Sequence, residues 1–383
     1  MWRLPDERDS PAREGGKDNV HHHRGETTPQ AIEELAGRIF LEGVGALHLG
    51  SVYIGLKHGL FAALVEDGPL TAGELATRFG LDGWYVREWL QAETTAGLLL
   101  ADDDDLATAS FTTAPGVRET LVEETGPAFI GGLPLAAAAA YSVMPELLKA
   151  FRSGAGVPYT SYGEDAVEAQ AALNRPAFVN ELVAEWIPQV PDVAALLADS
   201  SRVTRVADVG CGLGWASIEL AKAFPHLRVD GYDTDEESIT RARRNAVDSG
   251  VSDRVTFDVV DASSPYGEGR YDLILFFECV HDMAHPVEAI AQAKAALAEG
   301  GTVIVMDERV SETLSAGDPT ETFFAAASVV WCLPQGRVQP DSEAVGTVMR
   351  PSRFRGIARQ AGWSDVEILP IDHPFWRFYR LVD

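Results

Sequence analysis

The sequence predicts an α/β protein: an open, doubly wound sheet in the C-terminal half, preceded by a smaller, mainly helical module laid out like a winged helix. Three observations carry that reading. Beyond Val203, short continuous apolar segments alternate with helical stretches, the signature of a parallel sheet covered on both faces. One of these segments, Arg205–Val209, runs straight into Gly210, Gly212 and Gly214. Nearer the N-terminus, two helical stretches separated by Gly80 precede a pair of short extended segments, a helix-turn-helix with a wing.

Length and charge bound the rest. A chain of 383 residues is long for one domain. The composition shifts divide it into a polar tail (1–25), a winged-helix-like module (26–120), a helical linker contributing to a substrate pocket (121–200) and the sheet domain (201–383). With 46% hydrophobic and 23% charged residues it has an ordinary globular composition. No uninterrupted apolar run approaches about 18 residues, and Leu133–Tyr141 is too short to span a bilayer, so no membrane association is expected. The N-terminus lacks the apolar core of a secretory signal. The formal charge of −27 opposes binding to nucleic acid phosphates wherever no basic patch is concentrated. The densest basic cluster, Arg241, Arg243 and Arg244, falls far from the helix-turn-helix. Cys211, Cys279 and Cys332 show no metal spacing and cannot all pair, which suits a reducing cytoplasm.

Each element follows from local chemistry. The tail is rich in charge, Pro and Gly, and His21, His22 and His23 read there as solvated side chains. From Thr28 to Asp67 apolar residues recur at helical spacing: Ile32, Leu35, Ile39, Phe40, Val44, Leu47, Val52, Leu56, Leu60 and Leu64. Thr71 is an N-cap with Glu74 three residues on, a capping box, and that helix stops at Gly80. A second helix runs from about Trp84 to Leu98. The wing comprises Leu98–Ala101 and Leu106–Thr113, and its tip, Asp102–Asp105, is acidic where a DNA reader would carry Arg or Lys. Residues 120–200 are mainly helical. The sheet domain then reads as strands at Arg205–Val209, Arg228–Tyr232, Val255–Val260, Tyr271–Phe277 and Thr302–Met306. Helices run to Phe224, over Glu236–Asp248 and over Pro286–Leu297, and Val366–Leu369 and Phe375–Leu381 close an antiparallel edge.

The site motif is Asp208-Val-Gly210-Cys-Gly212-Leu-Gly214. Glycine serves where a loop turns tightly and its backbone approaches a ligand, and the helix behind offers unpaired N–H groups. A pyrophosphate-binding loop would need its third glycine at Trp215, and Asp208 would be a poor neighbour for phosphates. The pattern therefore favours S-adenosylmethionine over a dinucleotide. Asp233, followed by Thr234, ends the next strand about 20 residues on, where a carboxylate accepts both ribose hydroxyls. Asp261 and Ala262 follow the third strand, placed to meet the adenine.

On these motifs, residues 200–310 resemble the catalytic domain of class I S-adenosylmethionine-dependent methyltransferases, a Rossmann-like sheet. Residues 28–383 resemble the small-molecule methyltransferases that put a winged-helix dimerisation module before that domain. Glu278-Cys-Val-His281-Asp282-Met283 is similar to the His-Asp-Trp motif of O-methyltransferases, with Met283 in place of Trp. The resemblance implies that His281 is the general base, that Asp307, with Glu308 beside it, orients the base, and that Phe277 contacts the cofactor. It also implies a homodimer. Some related keto-acid C-methyltransferases hold a metal with a His-Asp pair and a His about fifty residues on. That neighbourhood here reads Trp331-Cys-Leu-Pro-Gln, and no metal is expected.

Methyl transfer requires alignment of acceptor, methyl and sulfur and removal of a proton, for which an imidazole with pKa near ~6.5 is suited. His281 has a plainer alternative, capping the helix that follows. Tyr159, Tyr162, Phe324 and Trp331 are candidate aromatic walls for a small-molecule acceptor, or ordinary core. The expected function is methylation of an O, N or C atom of a secondary metabolite. Its rivals are a cofactor-bound protein with other chemistry and a winged-helix DNA-binding regulator.

Overall fold

The computed structural model describes residues 27–383, and the chain divides into two compact units, one ending at Val122 and the other Glu123–Asp383. The tail with its histidine triplet lies outside the described residues.

The first unit contains α1 (Pro29–Lys57), α2 (Leu60–Asp67), β1 (Leu70–Thr71), α3 (Ala72–Phe79), α4 (Gly83–Thr95), β2 (Leu99–Ala101) and β3 (Ser110–Thr113). The apolar run splits at Gly59, whose left-handed backbone (φ 69°) separates α1 from α2. The capping box forms: Glu74 N–H donates to Thr71 Oγ1 at 3.2 Å and Thr71 N–H to Glu74 Oε2 at 2.8 Å. Asp82 caps α4 by accepting from the Trp84 and Tyr85 amides. The wing is antiparallel, with β3 between β1 and β2. Leu60, Phe61, Leu75, Leu90, Leu99 and Phe111 form the core, and Phe61 meets Trp89 edge-on at 5.1 Å.

α1 forms over the stretch whose apolar spacing predicts a helix. Its periodicity is helical, yet most of its apolar side chains, Phe40 (70% exposed) and Leu47 (82%) among them, lie outside any core. Only Val52 and Gly55 are buried. An 18-residue window of α1 has a mean hydropathy of 1.5, so by length and composition the helix is apolar enough to cross a bilayer. Glu33, Glu34, Arg38 and Glu42 interrupt the run and hide this from a search for unbroken apolar stretches.

The second unit opens with α5 (Gly132–Ser142), α6 (Met144–Ser153), α7 (Glu164–Ala177) and α8 (Pro191–Ala198), α7 continuing as a wider π-type stretch over Phe178–Trp186. Then β4 (Arg205–Val209), α9 (Trp215–Ala223), β5 (Arg228–Asp233), α10 (Glu236–Asp248) and β6 (Val255–Val259) alternate. They are followed by β7 (Tyr271–Phe277), α11 (Pro286–Ala296), β8 (Leu297–Glu308), α12 (Pro319–Ala327), α13 (Leu333–Gly336), α14 (Pro351–Gln360), β9 (Asp365–Ile368) and β10 (Trp376–Val382). The sheet order is β6-β5-β4-β7-β8-β10-β9, with every strand in one direction except β10, which pairs antiparallel with both β8 and β9.

One face of the sheet packs on α8, α9 and α10 through Leu197, Ile218, Leu220 and Ile239, and the other on α11 and α14 through Ile290, Ala293, Phe354 and Ile357. The chain winds outward from β4 to β6 and returns to pair β7 against the other side of β4. This reversal opens a crevice at the carboxyl ends of β4 and β7, where open α/β sheets bind ligands.

Candidate functional site

The glycine turn is built at that crevice. Gly210, Gly212 and Gly214 all have positive φ (73°, 51° and 77°), which side chains rarely tolerate. The loop is tied down by backbone: Gly210 and Cys211 N–H donate to Tyr232 O at 2.7 and 3.0 Å. Asp233 fixes its tip, accepting the Gly212 N–H at 2.9 Å on Oδ2 and the Asp235 N–H at 3.0 Å on Oδ1. Asp208 accepts from Ser217 Oγ (2.6 Å) and N–H (3.2 Å), joining the end of β4 to the first turn of α9. Burial pushes the Asp208 carboxyl up to about 6 and also raises Asp233.

A cavity of about 470 Å³ opens beside this loop, within the ~300–1,000 Å³ of small-molecule sites. Of the residues expected from sequence, Asp208, Gly210, Gly212, Asp233, Thr234, Asp261, Ala262, Phe277, Tyr159 and Trp331 line it. Gly214 does not: it is the left-handed N-cap of α9, packed against the Phe257 ring. Tyr162 and Phe324 are core residues; Tyr162 donates to Val330 O at 3.0 Å and packs 5.3 Å from Trp331. Phe277 stacks on Phe178 at 5.9 Å, continuing the core into the cavity wall.

His281 and Asp307 sit behind the wall. His281 is 2% exposed and Asp307 1%, and neither lines the cavity. His281 Nδ1 is 3.0 Å from both Asp307 Oδ1 and Glu308 Oε2, and Nε2 is 3.3 Å from Asp282 Oδ1. One N–H serves one acceptor well: Asp307 takes the hydrogen bond, and Glu308 Oε2 is left without one. Burial alone would lower the imidazole's pKa, but Asp282, Asp307 and Glu308 reverse that and hold it well above its usual range. Burial likewise raises Asp282 and Glu308, whereas in Asp307 the imidazolium overcomes it and lowers the carboxyl. Both ring nitrogens of His281 face carboxylates, Nδ1 toward Asp307 and Nε2 toward Asp282, and the ring does not line the cavity. The group of this cluster that faces the cavity is Asp282.

Sequence reasoning also passed over Glu278, Asn174, Trp215 and Gln335, which line the cavity. For Asp282 a signal existed, its place in the His-Asp pair. For Glu278 none did. Two groups among the described residues bring ligand atoms within 4.8 Å of one another, His281/Asp282/Cys332 and His281/Asp307/Glu308. Cys332 thus occupies the region where the sequence offered no histidine. In this cluster Asp307 Oδ1 has the His281 hydrogen bond, while Asp282 Oδ1, Asp307 Oδ2 and Glu308 Oε2 are buried without a hydrogen-bond partner.

A nucleoside-sized crevice with a glycine turn and carboxylates at successive strand tips defines a cofactor-binding α/β enzyme, and comparison with known proteins agrees. Residues 200–348 match the model of a methyltransferase domain and residues 46–112 that of an Rv2258c-like winged HTH domain. A ubiquinone biosynthesis O-methyltransferase of Bordetella parapertussis is 31% identical over 209 residues, 53% of this chain and 77% of that protein. Ajmaline N-methyltransferase of Rauvolfia serpentina is 31% identical over 100 residues, 26% of this chain. A 27-O-demethylrifamycin SV methyltransferase of Amycolatopsis mediterranei is 30% identical over 179 residues, 41% of this chain. The chain spans only 34% and 64% of those two relatives' lengths.

In fold, it is similar to mitomycin 7-O-methyltransferase, with a TM-score of 0.65, 19% identity and coverage of 92% of this chain and 98% of that one. It is also similar to human N-acetylserotonin methyltransferase in complex with SAM, with a TM-score of 0.63, 18% identity and coverage of 94% and 99%. The chain belongs to the S-adenosylmethionine-dependent methyltransferases, preceded by a winged helix-turn-helix module.

Proposed function

We propose that this protein moves the methyl group of S-adenosylmethionine to an oxygen, nitrogen or carbon of a small-molecule acceptor of secondary metabolism. The observation that carries the proposal is one cavity lined both by the cofactor loop with Asp233 and Asp261 and by Tyr159, Trp331, Gln335 and Asp282. Held together there, acceptor and donor meet as neighbours, and alignment supplies much of the rate. The proton leaves through the His281–Asp282 pair. Asp282 receives it at the cavity, His281 behind stabilises the carboxylate, and Asp307 fixes the imidazole through Nδ1. Six carboxylates line the cavity (Asp208, Asp233, Asp235, Asp261, Glu278 and Asp282) and no lysine or arginine, which supports a neutral or cationic acceptor over an anionic one. Relatives named as O- and as N-methyltransferases leave both atoms open.

The exposed apolar side of α1 supports a homodimer formed through that helix, because a patch of this kind marks an interaction surface. In light scattering, Ile39→Asp with Leu47→Asp should convert a dimer to a monomer; a wild-type monomer, or a wild-type chain that sediments with membranes, would overturn this. The three free cysteines suit a cytoplasmic setting. A role as DNA-binding regulator is disfavoured by the four exposed aspartates at the wing tip, Asp102–Asp105.

The deciding assay supplies methyl-labelled cofactor with a panel of phenolic and amine acceptors. Label in a small-molecule product supports transfer, and product without label supports other chemistry on the same cofactor.

A further inference from the structure

We propose that Glu278 is a cofactor-binding residue whose carboxylate takes the α-ammonium group of the methionyl moiety; this rests on the cofactor assignment above. Glu278 is the first residue beyond β7, and its N–H donates to Met306 O at 2.8 Å. Among the described residues it is the only non-glycine with positive φ, 52°. Such strain in a residue with a Cβ persists where the surroundings impose it, and it collects at functional sites. Glycine would relax the turn, so the glutamate holds this conformation at a cost that a glycine would not carry.

That side chain is held at one end and unsatisfied at the other. Trp376 Nε1 donates to Oε1, and Asn174 stands beside the carboxylate. Oε2 is buried with no hydrogen-bond partner. The residue lines the cavity, where no lysine or arginine is present to neutralise it. A buried carboxylate oxygen in this condition is costly unless a donor meets it, and an ammonium offers three.

The position selects the cofactor's ammonium over one on the acceptor. Next in sequence, Cys279 donates from Sγ to Val209 O at 3.1 Å, and its side chain fills the space a Cβ on Gly210 would need. Glu278 is thereby anchored beside the glycine turn, at the cofactor end of the crevice. The amino-acid portion of S-adenosylmethionine is the cationic group that a ligand seated on that turn brings within reach.

The test is calorimetry on the full-length chain with two ligands, S-adenosylhomocysteine and 5′-methylthioadenosine, which lacks the amino-acid portion. Glu278→Gln should weaken S-adenosylhomocysteine about tenfold or more, the loss expected for a charge-assisted hydrogen bond, and leave methylthioadenosine within about twofold. Glu278→Gly, which removes the carboxylate and relaxes the backbone, should show the same split and fold at least as well. Asp233→Asn, at the ribose, should weaken both ligands. Unchanged S-adenosylhomocysteine affinity in Glu278→Gln overturns the proposal, as does an equal loss for both ligands. So does a variant whose only defect is a lower kcat/KM for amine acceptors, which would give the carboxylate to the acceptor. A wild-type protein that binds neither ligand overturns the cofactor assignment and this inference with it.

Discussion

The two units bury charge in opposite ways. In the first, the core is apolar apart from Glu93, which accepts from Ser51 Oγ at 2.5 Å and lies 3.0 Å from His48 Nε2. In the second, Asp208, His281, Asp307 and Glu308 are buried, at the carboxyl ends of β4 and β8 or just past β7, while the strand interiors between them are Val, Ile, Leu and Phe. Burying charges is unfavourable unless they are paired. Their concentration at the strand tips of one unit separates a part built to bind and react from a part built to pack. The first unit shows the complementary feature, a helix whose apolar side no core covers.

The largest test of that contrast is catalytic. Asp282→Asn should lower kcat by about 10²–10⁴-fold while S-adenosylhomocysteine affinity stays within about threefold. A variant as fast as wild type would show that the proton leaves by another route. The pH profile sharpens the assignment. Asp282 must be ionised to accept a proton and its pKa lies above the usual aspartate value, so kcat should rise with pH through a midpoint above that value, and Asp282→Asn should lose that limb.

Stability compares the two buried clusters directly. His281→Ala leaves Asp307 and Glu308 buried without their cation and should cost about 3–5 kcal/mol in denaturant unfolding. His48→Ala, at a half-exposed ring whose partner Glu93 keeps Ser51, should cost only about 1 kcal/mol. Equal losses would erase the distinction between the units. The smallest effect is expected at the wing: neutralising Asp103 and Asp104 should move stability by less than about 0.5 kcal/mol and leave turnover unchanged.

Much of this was legible in the sequence because it is local. The glycine turn, Asp233 and Asp261 follow from strand ends and spacing, Phe277 from the family resemblance alone, and the Thr71–Glu74 box from a four-residue pattern. What depends on tertiary placement was not. The His-Asp pair is visible as two letters, but only the packing of β8 shows that His281 turns into the carboxylates and Asp282 toward the cavity. Tyr159 and Tyr162 are three residues apart and equally aromatic, yet one lines the cavity and the other packs on Trp331. α1 has a helix's period, and periodicity does not say what, if anything, covers the apolar side. Glu278 left no trace, since strain at φ 52° is a property of the fold and not of the residue type.

The most direct measurement is a single-turnover reaction with methyl-labelled S-adenosylmethionine and a neutral or amine acceptor, run side by side with wild type and Asp282→Asn. Label should pass to the acceptor with wild type and be reduced by orders of magnitude in the variant, with cofactor binding intact. Acceptor converted without label, or label transferred equally by both proteins, would contradict the account.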